Sequence, residues 1–136
     1  MIQTTLRVQT KGRGFYEITG QVQQALADNH AGTGLCQLFI QHTSASLVIT
    51  ENADPDVLHD LETWISEAVI DGDRRFRHQA EGPDDMSAHI RSLLTQTAMT
   101  VPVSDGQLAL GTWQGIFVWE HRTSAHQRRV VVTVLE

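Results

Sequence analysis

Arg128 to Leu135 (Arg-Arg-Val-Val-Val-Thr-Val-Leu) is the most β-branched run in the chain, and it constrains the fold more than any other feature. Branching at Cβ stiffens χ1 and suits a pleated, covered surface, so this run is expected to be a largely buried strand. At the other end, Thr4 to Gln9 alternates apolar and polar residues and predicts a second strand. Further strands are expected at Gly34 to Gln41, Ser46 to Thr50, Ala98 to Val101, Gln107 to Leu110 and Ile116 to His121, divided by Gly, Asp and Pro turn signals.

Three helices are expected among them. Thr19 is placed to cap a segment burying Val22, Ala25 and Leu26 and ending by Gly32. Asp54-Pro55 puts a capping carboxylate before a proline at the first helical position, and Val57, Leu58, Leu61, Trp64, Ile65 and Ala68 recur at helical spacing up to Asp71-Gly72. Asp84 or Asp85 is expected to cap a third helix, with Met86, Ile90, Leu93, Leu94 and Thr97 on one face. The reading is α+β: antiparallel or mixed sheets forming a sandwich-like single domain over residues 1–136, with about three helices.

At 136 residues and 40% hydrophobic composition the chain can bury a core without disulfides or a structural metal. Its one cysteine, Cys36, lies among apolar strand residues, which suggests a buried thiol in a reducing, cytoplasmic setting. The first residues lack the pattern of a secretory signal, and no apolar run is long enough to span a bilayer. With 10 Lys+Arg against 16 Asp+Glu the net charge is −6, which argues against a nucleic-acid module.

Seven histidines are the compositional oddity. His42, His78, His89 and His121 each sit among polar motif residues near expected element ends, whereas His30, His59 and His126 are expected to be solvated. Neutral imidazole is a common metal ligand, and three imidazoles plus a water make an open catalytic site. No His-Glu-x-x-His helix is present, so ligands would have to converge from separate elements. Glu51, after a strand and before a helix cap, can reach a pocket, and Glu120 could act as an acid or base. Alternation should turn Glu120 and His121 to opposite faces. Ser44 and Ser46 lack the surroundings of a nucleophile elbow and suit turn bonding or phosphate-oxygen binding.

The motifs His-Thr-Ser-Ala-Ser-Leu at 42 to 47, Glu51-Asn52 with Asp54-Pro55, His59-Asp60 with Glu62, Glu81-Gly82 with Asp84-Asp85-Met86 and His89, Gly111-Thr112-Trp113-Gln114-Gly115, and Glu120-His121-Arg122 together resemble the YjbQ family. Members are often labelled secondary thiamine-phosphate synthase enzymes, and the likeness runs over about residues 3 to 135. It implies a compact α+β homotrimer with a histidine-rich pocket for a metal or anion near subunit contacts. It also implies a weak transferase activity joining a pyrimidine diphosphate to a thiazole phosphate with release of pyrophosphate, beside an unsettled main reaction.

Carried onto this chain, the resemblance makes His78, His89 and His121 the metal ligands, with zinc the expected ion for imidazole donors. His42, Glu51 and Glu120 become the catalytic candidates, His42 as substrate-side base or fourth ligand. Ser44, Ser46, Gln114 and Arg122 become the binding residues for a phosphate-bearing small molecule. Ser87 departs from the family pattern, in which proline commonly follows Asp-Asp-Met. A metal-assisted hydrolase and a trimeric anion-binding protein are the competing readings.

Overall fold

The computed structural model describes residues 1–136. Eight strands and three helices follow one another as β1 (Ile2–Gln9), β2 (Gly14–Glu17), α1 (Thr19–Asp28), β3 (Gly34–Ile40), β4 (Ala45–Glu51), α2 (Pro55–Ala68), α3 (Asp85–Leu94), β5 (Ala98–Ser104), β6 (Gln107–Leu108), β7 (Gln114–Glu120) and β8 (Gln127–Leu135). They form a five-stranded sheet in the order β1-β8-β3-β5-β6 and a three-stranded sheet in the order β2-β7-β4, with every pairing antiparallel. A bridge between Leu47 and Gln96 helps tie the sheets, which curl into a half-barrel around one core.

The β-branched C-terminal run takes the position its composition demands. β8 is paired with β1 on one side and β3 on the other, and Val130, Val132 and Val134 point into the core. Arg128 has the same parity and is buried too, which obliges the fold to supply it with a counter-ion. Gly34 allows β3 to pass the end of β8, because a Cβ there would collide with the Leu135 carbonyl oxygen.

The main core joins both sheets with α1, through Val22 and Leu26 among others. On its opposite face the small sheet meets α2 and α3: Ile65, Val69 and Trp119 pack with Phe15, Val48, Leu61 and Ile90. β7 is therefore covered on both sides. Ile116 and Val118 enter the main core, while Trp119 stacks on Phe15 with ring centroids 4.3 Å apart. Trp119 is thus buried within its own chain.

The start of helix α2 matches expectation, since the Asp54 side chain accepts from Asp56 N at 2.9 Å and Pro55 opens the helix, but of its expected apolar face only Ile65 is buried, while Trp64 and Ala68 are exposed. The other two helices depart further. Thr19 is not a cap but a tether, accepting from Ile116 N at 2.8 Å while its hydroxyl donates to Glu17 Oε2 at 2.9 Å. The left-handed residue after α1 is His30, at φ 53°, rather than a glycine. In α3 the buried side holds Asp85, Ser87, Ala88, Arg91 and Ser92, while Leu93 and Leu94 are exposed. Periodicity located the helix and misplaced its inner face, because buried carboxylate and guanidinium groups hold α3 against the protein. Strand β2, short and opened by a glycine, escaped the pattern; it survives by pairing with β7.

Candidate metal centre

Residues 78 to 89 fold back on themselves so that His78, from the loop after α2, meets Asp85 and His89 on α3. Asp85 and His89 are one helical turn apart and share a face. Asp85 Oδ2 lies 2.6 Å from His78 Nε2 and 3.1 Å from His89 Nε2, and ligand atoms of the three residues all lie within 4.8 Å of one another. Glu81 Oε2 approaches His78 Nε2 at 3.4 Å. The bond from Asp85 raises the His78 pKa above the ordinary imidazole value. Burial acts to raise the Asp85 pKa, but the bond to His78 and the Arg122 charge outweigh it and hold the carboxyl below its ordinary value.

Neighbouring groups fix how these side chains present themselves. His89 Nδ1 lies 3.1 Å from the Thr43 carbonyl oxygen, which can only accept, so Nδ1 carries a proton. The lone pair of a neutral His89 Nε2 then faces a carboxylate oxygen, and this contact needs a second proton or a cation between the two. Arg122 clamps the far side of Asp85, with Nη1 2.9 Å from Oδ1. It also bonds Asp84 Oδ2 through Nε at 2.9 Å and the Glu81 carbonyl through Nη2 at 3.0 Å. Asp84 is not a side-chain helix cap; its carboxylate accepts from Thr123 N at 2.9 Å. Despite burial, these donors lower its pKa to about 2.

The triad lies between two cavities. Along one side, Phe39, Ile40, His42, Thr43, His89 and Leu93 help line a space of about 510 Å³. His78 borders another of about 340 Å³ with Gly72, Arg74 and Pro83 among its walls.

Of the expected metal ligands, His78 and His89 come together, and Asp85 takes the third place in the cluster instead of His121. His121 is fully buried beside Trp119, and its Nε2 shares a 2.8 Å hydrogen bond with Ser46 Oγ. Nδ1 of His121 has no partner, and burial with nearby Arg91 lowers the pKa to about 3. The Asp85–His89 spacing was a usable signal in the sequence.

The remaining candidates are mostly engaged in holding the fold. Glu120 is buried in an ion pair with Arg128, at 2.8 Å to Nε and 2.5 Å to Nη2, and accepts from Thr10 Oγ1 at 2.7 Å. Burial acts to raise its pKa, yet these bonds keep it below the usual carboxylate value. Glu51 Oε2 accepts from Asp54 N, and Gln114 Oε1 closes its turn by accepting from Gly111 N. Ser46 is tied to His121, and Ser44 accepts from Arg128 Nη2 at 3.0 Å. His42 alone among the catalytic candidates opens onto the cavity beside the triad. Arg128, which the sequence pattern left without a role, could have been found by its parity with Val130 and Val132.

A family model described as UPF0047 protein YjbQ-like matches residues 4–136. The chain belongs to this family. It is 49% identical to the UPF0047 protein sll1880 of Synechocystis over 132 residues, covering 97% of this chain and 90% of the relative. Identity to the YjbQ protein of Escherichia coli O157:H7 is 42% over 133 residues, 97% of this chain and 96% of that one. Among solved structures, TT1486 of Thermus thermophilus superposes with a TM-score of 0.87 at 36% identity, covering 97% of this chain and 99% of that one. APE1520 of Aeropyrum pernix gives 0.89 at 26% identity, covering 99% and 98%. The YjbQ-like fold of two antiparallel sheets with three helices is therefore shared over essentially the full chain.

Proposed function

We propose that this YjbQ-like chain is a small metal-dependent enzyme acting on a phosphate-bearing small molecule, with His78, Asp85 and His89 holding one divalent ion. The observation that carries this reading is the convergence of His89 Nε2 and Asp85 Oδ2, two acceptors 3.1 Å apart, with His78 Nε2 on the same oxygen. Two imidazoles and one carboxylate suit a borderline cation, and zinc is our choice. The Thr43 carbonyl on His89 and Arg122 on Asp85 are the kind of outer partners that orient metal ligands.

The reaction we favour joins a pyrimidine diphosphate to a thiazole phosphate with release of pyrophosphate. A bound ion would supply Lewis-acid neutralisation of the diphosphate charge. Phe39, Ile40 and Leu93 offer an apolar wall for an aromatic ring beside the triad, and Thr43 holds His89 in place. Metal-assisted hydrolysis is less well supported, because Glu51 and Glu120, the two carboxylates considered as its base, are both committed elsewhere. We also propose that the chain works as a homotrimer in the cytoplasm. Exposed Leu93 and Leu94 on α3 support association, the buried thiol Cys36 suits a reducing compartment, and no helix is long and apolar enough to cross a membrane.

Elemental analysis of the zinc-treated, desalted protein tests the centre. Stoichiometric metal should be retained by the parent chain and by His59→Ala, and lost from Asp85→Asn and His89→Ala. Full retention in both triad variants, or no uptake by the parent, would refute the reading. Synthase turnover that follows metal content across the same variants would support the reaction; none with loaded protein would exclude it.

A further inference from the structure

A second group of polar residues lies where β1, β8 and β3 meet, at the end of the large sheet nearest His42. Arg7 and Arg129 are direct cross-strand partners and both are exposed. Like charges placed opposite one another destabilise a strand pair, and neither arginine has an acidic partner although the chain carries net charge −6. On the other flank of β8, Gln41 N donates to the Arg129 carbonyl at 3.0 Å, so exposed Gln41 continues the row across a third strand. Gln41, His42, Gln127, Arg128 and Arg129 line a cavity of about 480 Å³ with no apolar residue in its wall.

His42 is held there in one tautomer. Its Nδ1 accepts from the Ser44 backbone N–H at 3.1 Å, and a backbone N–H cannot reverse its role. Facing that unprotonated nitrogen at 3.0 Å, the Ser44 hydroxyl can only donate to it, while its oxygen accepts from Arg128 Nη2 at 3.0 Å. Glu120 holds Arg128 in turn. Nδ1 is therefore an acceptor, and in the neutral ring the proton resides on Nε2, which has no partner within the chain. This revises the expected role of His42: it offers a hydrogen-bond donor rather than a base. Burial and the Arg128 charge lower its pKa, which agrees with a ring that stays neutral.

We propose that this cavity is a phosphoryl-binding subsite, in which Arg129 supplies the charge and His42 Nε2–H and Gln41 supply directed donors. The Ser44–Arg128–Glu120 chain positions the imidazole. The site extends the reading of a phosphate-bearing ligand and does not require the metal. It also replaces the expected phosphate set, since each Arg122 nitrogen is already engaged, by Asp84, Asp85 and the Glu81 carbonyl, so that its charge is met by two carboxylates, while Ser44 and Ser46 are buried and bonded.

The test is calorimetric titration of inorganic pyrophosphate into zinc-loaded and chelator-treated protein, with nitrogen NMR of the labelled imidazoles. Pyrophosphate should bind the chelator-treated parent, and Arg129→Gln and His42→Phe should each weaken it about tenfold or more, whereas His42→Gln, which keeps a donor near the Nε2 position, should stay within about threefold. The His42 signals should show a protonated Nε2 and a bare Nδ1. Unchanged affinity in Arg129→Gln and His42→Phe, no binding by the parent, or a protonated Nδ1 in the neutral ring would overturn the subsite. Binding only to zinc-loaded protein and insensitive to Arg129→Gln would also overturn it while leaving the metal centre standing. Pyrophosphate binding through Arg129 in a chain that takes up no zinc would support the subsite and remove the metal centre.

Discussion

Replacing Glu120 by glutamine should be among the most damaging near-isosteric changes available in this chain. The carboxylate accepts from Thr10 Oγ1, from Arg128 Nε and Nη2, and from the backbone N–H groups of His121 and Arg122 at 3.1 Å each. It meets only donors. A glutamine keeps the shape but removes the charge and turns an NH₂ toward one of those donors. Arg128, 1% exposed, then loses its counter-ion. Breaking a buried pair from one side costs about 3–5 kcal/mol, against a total stability of roughly 5–15 kcal/mol for a domain. Urea unfolding followed by circular dichroism at fixed protein concentration should show a loss in that range. Glu120→Leu combined with Arg128→Met should be more stable than Glu120→Gln, because no charge is left without its partner. A loss below about 1 kcal/mol in Glu120→Gln, or a double variant costing the sum of the two single changes, would refute the argument.

Acid should destabilise the fold through His121. Its pKa is about 3 in the folded chain against an ordinary 6.5, so the unfolded chain takes the proton first; the contribution is complete above pH 6.5 and falls by about 1.4 kcal/mol per pH unit from there toward pH 3. Comparing unfolding free energies of the parent and His121→Asn between pH 7 and 5 should reveal that slope as a difference, and parallel curves would contradict it. Asp54→Ala should cost about 1 kcal/mol in the same assay by uncapping α2, and a neutral result would show that Pro55 and packing suffice. Cys36, buried with its thiol pKa pushed up to about 11, should resist a thiol reagent at pH 8 until denaturant is added; rapid labelling of the native chain would show that β3 opens.

The chain's local chemistry was sufficient to place most of its elements. β-branching marked β8, alternation marked β1, and Asp54-Pro55 marked the start of α2; each signal lies within a few residues and acts through backbone sterics or a single capping bond. The motifs also led to the YjbQ family and to the segments from which the candidate centre is built. Where local signals compete with distant partners they failed: Thr19 tethers β7 instead of capping α1, and α3 buries Asp85 and Arg91 rather than Leu93 and Leu94.

Side-chain roles were decided only by tertiary structure, because a carboxylate, hydroxyl or imidazole is defined by its partners, and those partners lie far away in sequence. Glu120 and Arg122 looked alike as site residues, yet one is sealed inside the core against Arg128 and Thr10, and the other braces Asp85. Burial removes His121 from the triad, while Asp85 enters it because one helical turn sets it beside His89 and the preceding loop returns His78 to the same oxygen. His42 shows the same division: its position at a strand end was legible, but its available proton depends on Ser44 and, through it, on a guanidinium 86 residues downstream, as the numbering places Arg128 after His42. Composition supplies such groups, and only the folded chain determines which remain free to meet a ligand.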